Sequence, residues 1–323
     1  MKVSILGTGA YGIALSKILN ENKHEVRMWT RFKEEADYLN MTHMSDKLKG
    51  TYIDDNIKIS YNIEETIKDC DLIVIAVPAG AVDDVAQLLK DIVTDKQHFC
   101  IASKGIEQDT CLFVNDVFTK YIDTDRVGVI SGPTFAVDIA KKVPVGYSLA
   151  STNEDTIRII KEALQNKHVK LRETNDILGV EICGSIKNVM AIASGMIDGM
   201  GLPISTQAFL ITESLNDIKE LIDALGGDKK TILSFAGFGD ILLTCTSTKS
   251  RNFSFGRLIG SNAPQEEIDN YIKTTTIEGL YTLKSIYKLL NDKKVNMPVI
   301  DLINDIIYNN KPVSELLRFL VEK

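Results

Sequence analysis

The sequence predicts an α/β protein: a doubly wound, mostly parallel sheet over residues 1–178, followed by an all-α domain over residues 179–323. Three observations carry this expectation. The chain opens on a short apolar run, Val3, Ile5 and Leu6, which meets three glycines and then a helical apolar period. Residues 72–77 form a continuous apolar run closed by Pro78, the composition of a strand covered on both faces. Strand-like and helix-like runs alternate until about residue 178, after which helical spacing takes over.

The opening stretch is the most informative. Gly7, Gly9 and Gly12 stand in G-x-G-x-x-G spacing between a strand and a helix. Gly7 permits a tight turn, Gly9 lets a pyrophosphate approach the backbone, and Gly12 allows close packing of helix on strand. The alternative is a glycine-rich turn with no ligand; a strand before it and a helix after it favour a Rossmann-like dinucleotide site. Residues 25–29 read as a second strand, and its end carries Trp29, Thr30 and Arg31 with no carboxylate. An acidic residue there would bind a ribose 2′-hydroxyl, whereas Arg31 suits a 2′-phosphate. The expected cofactor is therefore NADP or NAD, with the lean towards NADP.

Further along, a helix is expected from Lys33, a short strand at 57–59, a helix over 82–93, and strands at 99–102, 127–130 and 145–150. In a doubly wound sheet, ligands sit beyond the carboxyl ends of the strands. Lys104 in Ser-Lys-Gly and the turn at 132–134 fall at those ends. From residue 179 on, helices are expected, broken at 199–203, 226–227, 237–239 and Pro264.

Composition narrows the function classes. A net charge of −7 offers no basic excess for nucleic acid. The five cysteines form no C-x-x-C pair, which suits a reduced, cytoplasmic protein, and no metal is expected. No signal peptide is evident, and no apolar stretch was expected to reach the roughly 18 residues of a membrane span. The expected partner is a small molecule.

Two constellations carry chemistry. The four histidines are poorly placed for proton transfer and most were expected on the surface. Lys187 instead lies inside an apolar helical run beside Asn188, either snorkelling to solvent or buried for a purpose, with Lys104 as a candidate neighbouring cation. The second constellation is Gly237-Phe238-Gly239-Asp240, Thr244 and Ser250-Arg251-Asn252. Asp240 is suited to hold an active-site lysine, and the Ser-Arg-Asn triplet offers the donors that a phosphate needs. The plain alternative is a polar loop with a capping Asp or Ser.

Taken in order, these motifs resemble those of the NAD(P)-dependent glycerol-3-phosphate dehydrogenases of the bacterial cytoplasmic type. The resemblance rests on Gly7 to Gly12, Ser103-Lys104-Gly105, residues 132–136, Gly179-Val180-Glu181 with Lys187-Asn188, Gly239-Asp240, Ser250-Arg251-Asn252 and Glu278-Gly279. It implies catalytic roles for Lys187, Lys104 and Asp240. It implies substrate contacts from Lys104, Gly132, Thr134, Lys187, Asn188, Asp240, Thr244, Ser250, Arg251 and Asn252. Cofactor contacts would come from Gly7, Gly9, Ala10, Tyr11, Gly12, Arg31, Lys104, Ala136, Arg251 and Glu278. The implied reaction reduces dihydroxyacetone phosphate to sn-glycerol 3-phosphate for phospholipid synthesis, in a homodimer. The chain departs from the pattern at Ser205, Glu213 and Ser214, where the family often has Asn and Arg-Gly. A lysine-dependent ketoacid reductase and a non-catalytic nicotinamide-binding sensor are the other readings. The reductase also uses a lysine but would not be expected to match residues 237–240 and 250–252, and the sensor has no need of Lys104, Lys187, Asp240 and Arg251 together.

Overall fold

A computed structural model describes residues 1–291 and 293–322. The chain divides into two compact units, one of Met1–Glu107 with Leu112–Ile177, the other of Gln108–Cys111 with Leu178–Lys323.

The first unit is built on eight strands: β1 (Lys2–Leu6), β2 (Glu25–Trp29), β3 (Lys58–Ser60), β4 (Leu72–Ile75), β5 (His98–Ile101), β6 (Val127–Ser131), β7 (Val145–Ala150) and β8 (Val169–Thr174). Their order in the sheet is β3-β2-β1-β4-β5-β6-β7-β8. All pairings are parallel except β6 with β7. Every residue of β4 and of β6 is buried, because helices cover both faces of a parallel sheet. The helices are α1 (Ala10–Glu21), α2 (Lys33–Thr42), α3 (Ile63–Ile67), α4 (Val82–Leu89), α5 (Val114–Thr119), α6 (Ala136–Ala140) and α7 (Glu154–Leu164). Strand order reverses between β1 and β4, so the carboxyl ends of β1, β4, β5 and β6 share the edge where such sheets bind ligands.

Among the described residues the second unit contains helices and no strand. They are α8 (Ile177–Gly199), α9 (Ile204–Leu225), α10 (Asp240–Cys245), α11 (Arg251–Gly260), α12 (Gln265–Thr274), α13 (Glu278–Leu290), α14 (Pro298–Tyr308) and α15 (Glu315–Glu322). The expected break at 237–239 is instead a wide helical turn, Phe235–Gly239, that runs directly into α10. Gly237 makes its kink, since a Cβ there would lie 2.2 Å from the carbonyl oxygen of Ile232.

Helix α8 corrects one expectation. By length and composition it is apolar enough to cross a bilayer, although the sequence was read as lacking any such stretch. Its three charges, Glu181, Lys187 and Asp198, are spread over 23 residues and leave long apolar runs between them. Its apolar surface is spent inside the unit: between Gly179 and Ile197 every residue except Lys187 is buried. Helices α8 and α11 touch backbone to backbone. A Cβ at Gly195 would lie 2.1 Å from the Phe253 carbonyl oxygen, and one at Gly256 would lie 1.9 Å from that of Ile192. Gly199 and Gly260, one turn along each helix, would collide similarly at 2.3 and 2.1 Å. The start of α14 is tied down from α9: the buried Asp217 carboxylate accepts from the amides of Val299 and Ile300 at 2.7 and 3.0 Å.

Gly256→Ala forces α11 off α8, so it is expected to cost about 2–3 kcal/mol and lower the melting temperature by roughly 5–10 °C. Gly80→Ala, whose methyl would enter open space, should leave the melting curve where it was. Calorimetry of the two variants checks this.

Candidate active site

In the first unit the glycine turn has the geometry of a phosphate cradle. Gly7 sits at φ +122°, and a Cβ there would meet the Ala76 carbonyl oxygen at 2.6 Å. A Cβ on Gly12 would lie 2.2 Å from the Gly7 carbonyl oxygen, whereas around Gly9 no atom comes within 4 Å of one. Thus Gly7 and Gly12 close the turn and Gly9 leaves it open on one side. Helix α1 begins at Ala10 with Gly9 as a cap that lends no side chain, so its first amides point out of the turn. These residues fit a dinucleotide pyrophosphate.

Beside this turn a polar cluster gathers at the carboxyl ends of β5 and β6. Ser103 Oγ donates to the Val77 carbonyl at 2.6 Å and fixes the loop after β5. Lys104 Nζ then donates to the Gly132 carbonyl at 3.1 Å and lies 5.9 Å from the centroid of the Tyr11 ring. Tyr11 Oη and Thr134 Oγ1 are 3.3 Å apart, and Ala136 opens α6 immediately after. Gly132 has no room for a side chain, because a Cβ would lie 2.1 Å from the Gly146 carbonyl oxygen. Behind this cluster is Tyr147, fully buried, its phenol pushed well above the ordinary range by burial and then by Tyr11. Sequence reasoning missed it because it reads as one aromatic in an apolar strand.

At the end of β2 the structure adds a group that the strand itself lacks. A carboxylate is present: Glu35 reaches back from α2, accepts from Thr30 Oγ1 at 2.6 Å and pairs with Lys47. Arg31 is held by Asp84 at 2.9 Å, both of them exposed. The histidines are a second correction, since none is exposed. His24 contacts the Glu162 carbonyl at 3.2 Å, His98 contacts Thr156 Oγ1 at 2.9 Å, and His43 and His168 lie near Asp55 and Glu21.

In the second unit the centre is an ion pair between a fully buried aspartate and a lysine that keeps only a small part of its side chain exposed. Lys187 Nζ donates to Asp240 Oδ2 at 2.7 Å, with the lysine side chain 12 % and the aspartate 2 % exposed. Asp240 opens α10, where the helix dipole favours a carboxylate. Thr244, one turn on, donates to the Asp240 carbonyl at 2.6 Å, and Ser194 of α8 donates to the Cys245 carbonyl at 2.7 Å. Burial pushes the Cys245 thiol far up, so it stays protonated next to the pair. All five cysteines are buried and unbridged.

A second polar group lies along α8. Asn252 donates to Asn188 Oδ1 at 3.0 Å, Asn188 donates to Glu278 Oε2 at 3.1 Å, and the Gly279 amide donates to Asn252 Oδ1 at 2.9 Å. A Cβ at Gly279 would lie 2.7 Å from the Asn188 carbonyl oxygen, so α13 begins in contact with α8. Ser250 caps α11, accepting from the Phe253 amide at 3.2 Å, the plainer of its two expected uses. Arg251 extends from the first turn of α11, 55 % exposed, with Glu278 Oε1 3.8 Å away. Of the departures, Ser205 is exposed, Glu213 half-buried, and Ser214 is buried and bonded to the Ile211 carbonyl.

A doubly wound unit with a pyrophosphate cradle, and a helical unit holding a buried lysine–aspartate pair, define a nicotinamide-dependent oxidoreductase. Family models of the NAD-dependent glycerol-3-phosphate dehydrogenase N-terminus and C-terminus match residues 2–157 and 176–318. A glycerol-3-phosphate dehydrogenase [NAD(P)+] of Staphylococcus epidermidis is 34 % identical, covering 100 % of this chain and 98 % of its own length. The crystal structure of glycerol-3-phosphate dehydrogenase from Coxiella burnetii superposes with a TM-score of 0.91 at 28 % identity, over 100 % of this chain and 99 % of that one. That of Plasmodium falciparum gives 0.88 at 25 %, over 98 % and 94 %. The chain belongs to the NAD-dependent glycerol-3-phosphate dehydrogenase family.

Burial, reinforced by Arg126, pulls His98 below the ordinary imidazole value. The unfolded chain, with an imidazole near the usual value of about 6.5, therefore binds the proton first as pH falls. The native state loses stability from about pH 6.5 downwards. The melting temperature should fall less between pH 7 and pH 5.5 in His98→Gln than in the parent protein; equal slopes would remove His98 from the account.

Proposed function

We propose that this chain reduces dihydroxyacetone phosphate to sn-glycerol 3-phosphate with NAD(P)H, reversibly, and so supplies glycerol 3-phosphate for phospholipid synthesis. The observation that carries this reading is the Lys187–Asp240 pair, a buried cation and its holder in a helix otherwise given over to packing. The ketoacid-reductase and sensor alternatives are not favoured, because both halves of the chain match one dehydrogenase family. Residues 1–178 serve as the dinucleotide-binding domain and 179–323 as the substrate and catalytic domain. We take the protein to act in the cytoplasm as a homodimer.

The bound dihydronicotinamide supplies the hydride for the substrate's C2 carbonyl. Lys187 gives its Nζ proton to the oxygen of C2 as negative charge develops there, and takes it back in the reverse direction. Asp240 fixes Nζ in one position, and Thr244 fixes Asp240. Lys104, backed by the Gly132 carbonyl, lends a second positive charge to that oxygen. Arg251, Asn252 and Ser250 hold the substrate phosphate, for which the exposed guanidinium has the forked geometry. Asn188, Gly132 and Thr134 orient the rest of the substrate. Gly7, Gly9, Ala10, Tyr11, Gly12, Arg31, Ala136 and Glu278 hold the dinucleotide.

Loss of reduced-nicotinamide absorbance on adding dihydroxyacetone phosphate tests the reading directly. Oxidation with another carbonyl substrate, and none with this one, would overturn it. Lys187→Ala should lower kcat by roughly 10²–10⁴-fold while nucleotide binding persists. Retained turnover would take the proton away from Lys187. Arg251→Ala should raise KM for dihydroxyacetone phosphate about tenfold or more, the cost of one charge-assisted contact, with a smaller change in kcat.

A further inference from the structure

We propose that Glu35 sets the choice of dinucleotide, accepting a hydrogen bond from the adenosine ribose 2′-hydroxyl and disfavouring a 2′-phosphate, so that the protein prefers NADH to NADPH. The inference deepens the proposed function and rests on its dinucleotide site. It runs against the lean that Arg31 gives the sequence.

The argument is one of charge at the carboxyl end of β2, the edge where an acidic residue selects the 2′-hydroxyl in this type of fold. No carboxylate follows Trp29 in the strand, but the first turns of α2 bring one back to it. Glu35 accepts from Thr30 Oγ1 and pairs with Lys47, and the Thr8 hydroxyl of the glycine turn helps hold it ionised. Glu35 is thus anchored to the end of β2 through Thr30 and braced from the other side by Lys47. Burial alone would raise its proton affinity; Lys47, Thr30 and Thr8 outweigh that and keep it a carboxylate.

The cations at this edge are already matched. Arg31 is paired with Asp84 at 2.9 Å, Lys47 with Glu35, and Lys33 lies 5.8 Å from the centroid of the Tyr61 ring. A 2′-phosphate would have to separate one of these ion pairs and then sit near the carboxylate released. A 2′-hydroxyl needs only an acceptor, and the Glu35 carboxylate has two oxygens with lone pairs beyond those used by Thr30 and Lys47.

Trp29, the single tryptophan in the chain, ends β2 and provides the readout. Quenching of its fluorescence during titration with NADH and with NADPH gives two dissociation constants without any turnover. The parent protein is expected to bind NADH about fivefold more tightly, the size of one partly exposed charge contact. Glu35→Gln should bring the two constants together. Asp84→Asn, an exposed change that releases Arg31, should tighten NADPH severalfold and leave NADH unaltered. Tighter binding of NADPH by the parent protein, or an unchanged ratio in Glu35→Gln, would overturn the proposal. No binding of either nucleotide, by quenching and by calorimetry, would remove the dinucleotide site and this proposal with it.

Discussion

The helical unit depends on how closely α8 approaches α11. At Gly195 and Gly199 on one helix and Gly256 and Gly260 on the other there is no room for a Cβ, because each faces a carbonyl oxygen of the partner helix. Contact at that distance leaves no space for a side chain where the four glycines meet; polar pairs form elsewhere between the two helices, Asp198 with Arg257 at 2.7 Å and Asn188 with Asn252 at 3.0 Å, while most of α8 is apolar and buried. That makes Lys187 conspicuous in energetic terms. A buried ammonium persists only if paired, and Asp240 at 2.7 Å is the partner the fold provides. The same seam sets the Asn188, Asn252 and Glu278 side chains within hydrogen-bonding reach, because α11 and α13 both start against α8.

The sheet-based unit solves a different problem. Its parallel strands bury both faces and leave backbone amides and loops to gather at one edge. Rigidity there comes from groups with no room to move. Gly7 and Gly12 are closed by carbonyl oxygens, Ser103 is bonded to the strand β4 loop, and Gly132 is pressed against Gly146. Lys104, Tyr11 and Thr134 are set on that frame by three polar contacts, and a ligand arriving there meets side chains already oriented.

Much of this was legible in the residues. The strand–glycine–helix opening, the run over 72–77 and the shift to helical spacing near 178 reflect local periodicity, which the chain displays without any knowledge of tertiary contacts. Lys187 stood out for the same reason, as a charge in an apolar period. Features that depend on distant residues were not visible. The glycines of α8 and α11 look like ordinary helix weakeners until the two helices are placed together. Glu35 lies six positions after Trp29 and appeared to be one of several acids in a polar helix; only the turn of α2 carries it back to β2. The histidines were misread because an alternating strand edge and a loop give no sign of what packs over them. Strand β8 was overlooked because four of its six residues, Lys170, Arg172, Glu173 and Thr174, are polar, and only Val169 and Leu171 face inward.

The two units carry charge under opposite physical conditions, and this bears on what can change. Removing one partner of a buried pair such as Lys187–Asp240 costs on the order of 3–5 kcal/mol, because the remaining charge is stranded in low dielectric. Exposed pairs such as Arg31–Asp84 contribute about 0–1 kcal/mol, so either member can be exchanged with little effect on folding. Proton handling is therefore tied to the stability of the helical core, whereas the charge pattern around the β2 edge is free to vary. A single fold can keep one reaction and shift its dinucleotide preference through surface substitutions alone. Glu35 stands between these limits, half-buried and held by Thr30 and Lys47, which makes it the residue at that edge whose loss the site would feel most.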